Sequence, residues 1–187
     1  MEGASFSLIV KDVHNGETVF AYDTLRQLTP ASVMKTVTTA TALEILGEDY
    51  RFPTTLAYDG SIEKGLLKGN LYIKGSGDPS LGSAHFAPYH KRFLQEWISA
   101  LKKVGIHKIQ GAVIADESIF DTEGTSFKWV GEDMGSYYGA GSYGLCVFDN
   151  LYKLGLQTGA PGSRPKLKGT EPELSGIHFH NYLPCSE

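Results

Sequence analysis

A serine and a lysine three residues apart share one face of a helix. Ser32-Val33-Met34-Lys35, set behind Thr29-Pro30-Ala31, has that spacing at what reads as a helix start. The amine could there take the hydroxyl proton and make the serine a nucleophile. A helix N-terminus also presents unpaired N–H groups and partial positive charge, which favour an alkoxide and the oxyanion that follows its attack. The same spacing recurs at residues 61–64, 99–102 and 163–166. Ser61 follows the turn dipeptide Asp59-Gly60, Ser99 falls inside a helical pattern whose N–H groups are already paired, and Pro165 argues against a helix joining Ser163 to Lys166. Only Ser32 fits a helix start. On spacing alone one alternative stays open: Ser32 as a plain N-cap and Lys35 as a solvated first-turn side chain.

The elements that must position this pair follow from periodicity. Residues 5–11 and 17–22 are rich in β-formers and flank His14-Asn15-Gly16, which predicts a hairpin. Val33, Val37, Ala40 and Leu43 carry helical spacing that runs to Leu46, with Gly47 as C-cap, so Ser32 is expected to open a buried helix. An apolar wall there would desolvate the Lys35 amine and favour its neutral, proton-accepting form. From Arg51 the pattern changes to short strands and glycine turns, with strands expected at 54–58 and 70–74 and a turn cluster at 75–80. Phe93, Leu94, Trp97, Ile98 and Leu101 predict an amphipathic helix ending at Gly105, followed by a short buried strand at 112–115. Such a strand, helix, strand run predicts a small α/β or α+β layer. Residues 137–144 read as an aromatic, glycine-rich loop, and strand-like alternation resumes at 152–157 and 176–180.

Composition narrows the function classes. The 187 residues are 41% hydrophobic, enough for a real core, and the net charge of −4 comes without a Lys/Arg block, so neither nucleic acid nor an anionic membrane is favoured. No apolar run reaches the ~18 residues needed to span a bilayer. The chain shows no charged-then-apolar leader, and the compartment stays open, since Met1-Glu2-Gly3 could follow a removed signal peptide. Cys146 and Cys185 form no Cys-x-x-Cys pattern and read as idle thiols, with a disulfide as the alternative. His178 and His180 share an i, i+2 spacing without a third ligand nearby. No metal and no cofactor is expected.

Taken in order, several blocks resemble the class C low-molecular-mass penicillin-binding proteins, the D-alanyl-D-alanine carboxypeptidase/endopeptidase family of bacterial peptidoglycan. They are Leu8 to Asp12 with Gly16-Glu17, the run Leu28-Thr29-Pro30-Ala31-Ser32-Val33-Met34-Lys35-Thr36, and residues 69–81, which include Gly75-Ser76-Gly77-Asp78-Pro79-Ser80. Gly111-Ala112-Val113-Ile114-Ala115-Asp116 and Tyr138-Gly139-Ala140-Gly141-Ser142 complete them. The resemblance implies Ser32 as acylated nucleophile, Lys35 as its base and the Ser32 N–H as half of an oxyanion hole. The implied partners are stem peptides ending in D-Ala-D-Ala, with β-lactams as covalent inhibitors, and the implied location is the periplasm or cell envelope. It also implies an α+β architecture, with residues 1–53 as the N-terminal part of the catalytic domain. Residues 54–74 with 146–187 would form a strand-rich inserted domain, and 75–145 a nested insert.

Two family elements, a Ser-x-Asn loop and a Lys-Thr-Gly strand, are not found in the chain. Lys168-Gly169-Thr170 has the letters of the latter in the wrong order and reads as part of a connection. The expectation is therefore the N-terminal portion of a longer enzyme, inactive alone, whose N-terminal piece lacks cover and is prone to self-association. The alternatives are a non-catalytic wall-binding module and, less favoured, a serine β-lactamase.

Overall fold

The computed structural model describes residues 3–86 and 92–186, and the chain divides into two compact units, Met1–Arg51 and Phe52–Glu187. In the first, Leu8–Lys11 (β1) and Thr18–Tyr22 (β2) pair antiparallel as the hairpin expected from their β-forming residues. The turn is held by Gly16 N–H on the Asp12 carbonyl at 2.8 Å and by Asp12 N–H on the Glu17 carbonyl at 2.9 Å. Gly16 sits at φ +75°, a conformation open to glycine at little cost. A 3-10 turn, Ala31–Val33, then leads into Met34–Leu46 (α1), and the helix stops at Gly47, whose N–H bonds the Leu43 carbonyl.

The burial expected of α1 is not found. Val33, Val37 and Leu43 are 71%, 60% and 62% exposed, and of the described residues up to Arg51 every one but Asp12 is exposed. Nor do the apolar residues form one stripe: Met34, Val37, Ala40, Leu43, Ile45 and Leu46 are spread around the whole helix at 100° per residue. A helix apolar on all sides is one that a larger core surrounds.

In the second unit, Thr55–Tyr58 (β3), Leu71–Lys74 (β6) and Val113–Asp116 (β8) form one three-stranded sheet in the order β3-β6-β8. Ser61–Glu63 (β4), Leu66–Lys68 (β5) and Lys108–Ile109 (β7) form another in the order β4-β5-β7. The first pair of each sheet is antiparallel and the second parallel, so the chain passes through the same order twice. The two sheets meet along a seam where β3 runs into β4, β5 into β6 and β7 into β8. Backbone bonds cross it from Asp59 N–H to the Asn70 carbonyl (3.1 Å) and from Gly111 N–H to the Gly69 carbonyl (3.1 Å). Glycine is required by this closeness: a Cβ on Gly69 would lie 2.2 Å from the Asp59 carbonyl oxygen, and one on Gly111 2.2 Å from that of Gly69.

Phe93–Lys103 (α2) joins the parallel strands, with Phe93 buried and its ring 4.9 Å from Trp97 and 5.7 Å from Phe148. Leu67, Leu71, Leu81, Phe93 and Ile106 are the buried apolar residues around these elements. Strand β8 was expected to be buried and is not: Val113 is 58% exposed and Ile114 36%. The segment that follows is irregular, as residues 137–144 suggested, and returns through Gly77 N–H on the Gly144 carbonyl and Phe148 N–H on that of Leu81.

Lys153–Gln157 (β9) and Lys166–Glu171 (β10) pair antiparallel. Lys168-Gly169-Thr170 thus stands on a strand rather than in a connection, whereas residues 176–180 form no strand. Alternation without a partner strand does not fix a strand. Cys146 and Cys185 are free, and the Cys185 sulfur accepts the Gly159 N–H at 3.2 Å. The chain is therefore a mixed helix and strand, α+β protein. Strands from 54–74 and from 75–145 share both three-stranded sheets, while β9 and β10 pair with one another.

Candidate active site

The sequence Thr29-Pro30-Ala31 brings the backbone to the Ser32 turn. Pro30 is fixed at φ −73° and Val33 N–H closes the turn on the Pro30 carbonyl at 3.0 Å. Ser32 therefore lies one residue before the α1 N-cap, Val33, and Lys35 lies in the first turn of the helix. Across this short span Lys35 Nζ donates a hydrogen bond to Ser32 Oγ at 3.1 Å. Of the four Ser-x-x-Lys sequences this pair is, among the described residues, the one joined by a hydrogen bond. Two of the others are parted by their elements: Ser61 is on β4 and Lys64 in the turn after it, and Ser163 Oγ turns to the Ala160 carbonyl, whereas Ser99 and Lys102 share the helix α2 without a hydrogen bond between them.

Among the described residues the Ser32 backbone N–H meets no backbone acceptor, which leaves it available to an incoming oxygen. Thr39 Oγ1 donates to the Lys35 carbonyl at 2.8 Å, tying the next turn to the one that carries the amine. The apolar wall expected to desolvate the pair is absent within the described residues, since Ser32 and Lys35 are both exposed. What the arrangement can do is local: a hydroxyl and an amine within proton-transfer distance, at the positive end of a helix.

A polar cluster that spacing did not reveal lies in the second unit. The Asp59 carboxylate accepts the Asn70 N–H (2.6 Å), the Asn70 side-chain amide (3.0 Å) and the Tyr72 hydroxyl (2.8 Å), and Asn70 Oδ1 accepts the Ala112 N–H (2.9 Å). The Asn70 backbone N–H, then the Tyr72 hydroxyl, hold the Asp59 carboxyl below its ordinary range, and the Asp59 hydrogen bond raises Tyr72. These residues brace the seam. A groove of about 370 Å³ lies on the same sheet, lined by Tyr72, Ile114, Asp116, Phe120 and Thr122 among others. No three His, Cys, Asp or Glu side chains converge as metal ligands among the described residues, His178 and His180 included.

This geometry can be set beside known proteins. The description of the D-Ala-D-Ala carboxypeptidase 3 (S13) family matches residues 1–182. The chain belongs to that family. A D-alanyl-D-alanine carboxypeptidase of Actinomadura sp. (strain R39) is 33% identical over 147 residues, covering 79% of this chain and 26% of that protein. The D-alanyl-D-alanine carboxypeptidase DacB of Haemophilus influenzae is 29% identical over 133 residues, covering 71% of this chain and 26% of its own length. The crystal structure of penicillin binding protein 4 (dacB) from Haemophilus influenzae superposes with a TM-score of 0.71 at 28% identity, over 85% of this chain and 34% of that one. The same protein complexed with a novel beta-lactam superposes at 0.63 and 26% identity, over 89% and 32% of the two chains. This S13 chain thus spans about a quarter of the length of the curated relatives it matches.

Proposed function

We propose that this chain is the N-terminal portion of a serine-type D-Ala-D-Ala carboxypeptidase/endopeptidase that works on peptidoglycan stem peptides in the periplasm or cell envelope. The observation that carries the reading is the 3.1 Å contact between Lys35 Nζ and Ser32 Oγ at the entry to α1. In the reaction the Lys35 amine accepts the Ser32 proton as Oγ attacks the carbonyl of the penultimate D-Ala. The Ser32 N–H donates to the oxyanion. Collapse expels the terminal D-Ala, whose amine leaves with a proton, and water then hydrolyses the ester to regenerate Ser32. A β-lactam would acylate the same oxygen, in keeping with the β-lactam complex of the Haemophilus influenzae relative.

Residues 1–53 supply the nucleophile, and the remainder belongs to strand-rich insertions, within which the strand pairing joins 54–74 to 108–116. The Ser-x-Asn and Lys-Thr-Gly walls come from a part of the protein outside this chain. The test is covalent labelling by a fluorescent penicillin. The full-length protein labels, its Ser32→Ala variant does not, and the 187-residue chain alone does not. Efficient labelling of the chain alone would overturn the need for further walls. A full-length protein that never labels points instead to a non-catalytic wall-binding module.

A further inference from the structure

We propose that Ala31 is a positioning residue for the nucleophile, held in a left-handed backbone conformation that aims Ser32 at Lys35. The inference rests on the reading of Ser32 as the acylated serine. Ala31 has φ +45°, a region that residues with a Cβ seldom occupy. Of the described non-glycine residues with positive φ, Asp23, Asp149 and Asn150 carry the short polar side chains that tolerate it. Ala31 does not.

No packing accounts for the conformation, because Ala31 is exposed. Between Pro30, in the right-handed region at φ −73°, and the start of α1 at Met34 the backbone changes hand once. The reversal falls at Ala31, directly before Ser32, and closes the turn through the Val33 N–H on the Pro30 carbonyl at 3.0 Å. A change of φ at Ala31 reorients the peptide that leads into Ser32, and so moves Ser32 Oγ relative to the Lys35 amine. Strain held at a functional turn is a known way of fixing a reactive side chain, as in strand-to-helix elbows that carry a nucleophile.

The experiment compares variants of the full-length protein in acylation by a fluorescent penicillin, separating the maximal rate from the half-saturating concentration, with thermal unfolding as a control. Ala31→Gly and Ala31→Asn tolerate the left-handed region and should acylate within about fivefold of the parent. Ala31→Val, close to asparagine in size but β-branched, should lose roughly tenfold or more of the maximal rate, with the half-saturating concentration and melting midpoint unchanged. Should the valine variant unfold, Ala31→Leu gives the same comparison with asparagine. Parent-like rates for valine and leucine, or an asparagine variant as slow as they are, would overturn the positioning role while leaving Ser32 as nucleophile. An unlabelled parent protein, or labelling that survives Ser32→Ala, overturns the nucleophile itself and this inference with it.

Discussion

Lys35 can serve Ser32 as a base only in a form that accepts a proton, and this separates the catalytic reading from one in which the amine merely supplies charge. Arginine reaches a similar distance and keeps the charge, yet its guanidinium stays protonated. In the full-length protein Lys35→Arg should therefore lose acylation almost as fully as Lys35→Ala, by about 10²–10⁴ in rate. Near-parent acylation by the arginine variant, measured as the rate of penicillin labelling, would return Lys35 to a structural role. This pair was legible in the sequence because both partners lie within one helical turn, where spacing alone sets distance. The Asp59, Asn70 and Tyr72 cluster was not, since its members stand eleven and thirteen residues apart and meet only through strand register.

At the scale of elements, the longer pieces were readable and the shortest were not. The hairpin and the two helices carry enough residues to show a period, whereas β4, β5 and β7 have two or three residues each and none to show. What secures those short strands is the seam, and its buttress is titratable. The Asp59 carboxyl is held below its ordinary value of 3.8 in the folded chain, chiefly by the Asn70 backbone N–H. A carboxyl depressed by folding stabilises the fold above its unfolded value, and the gain is lost as pH falls through the lower folded value. Stability should therefore drop on acidification below about pH 4. Asp59→Asn should flatten that limb while lowering stability at neutral pH. Chemical denaturation midpoints followed by Trp fluorescence across that range give the comparison, and an unchanged acid limb in the variant would assign the drop to other carboxylates.

For the whole molecule the contrast lies between the units. Phe52–Glu187 has buried leucines and a buried phenylalanine, whereas Met1–Arg51 has a hairpin and a helix that is apolar all round and exposed throughout its described length. The spacing of Val33, Val37, Ala40 and Leu43 located that helix, but its other apolar residues leave it no single face, and what covers it could not be read because the covering residues are not its sequence neighbours. On the proposed reading the cover is the rest of the catalytic domain. In the 187-residue chain alone, amides of β1, β2 and α1 should then exchange with deuterium well before those of β5, β6 and α2. Raising the protein concentration should slow the first group if exposed apolar faces of two copies meet, and leave the second group unchanged. In the full-length protein both groups should be protected alike. Strong protection of β1, β2 and α1 in the chain alone, independent of concentration, would show that the N-terminal unit stands by itself and that the catalytic core ends earlier than proposed.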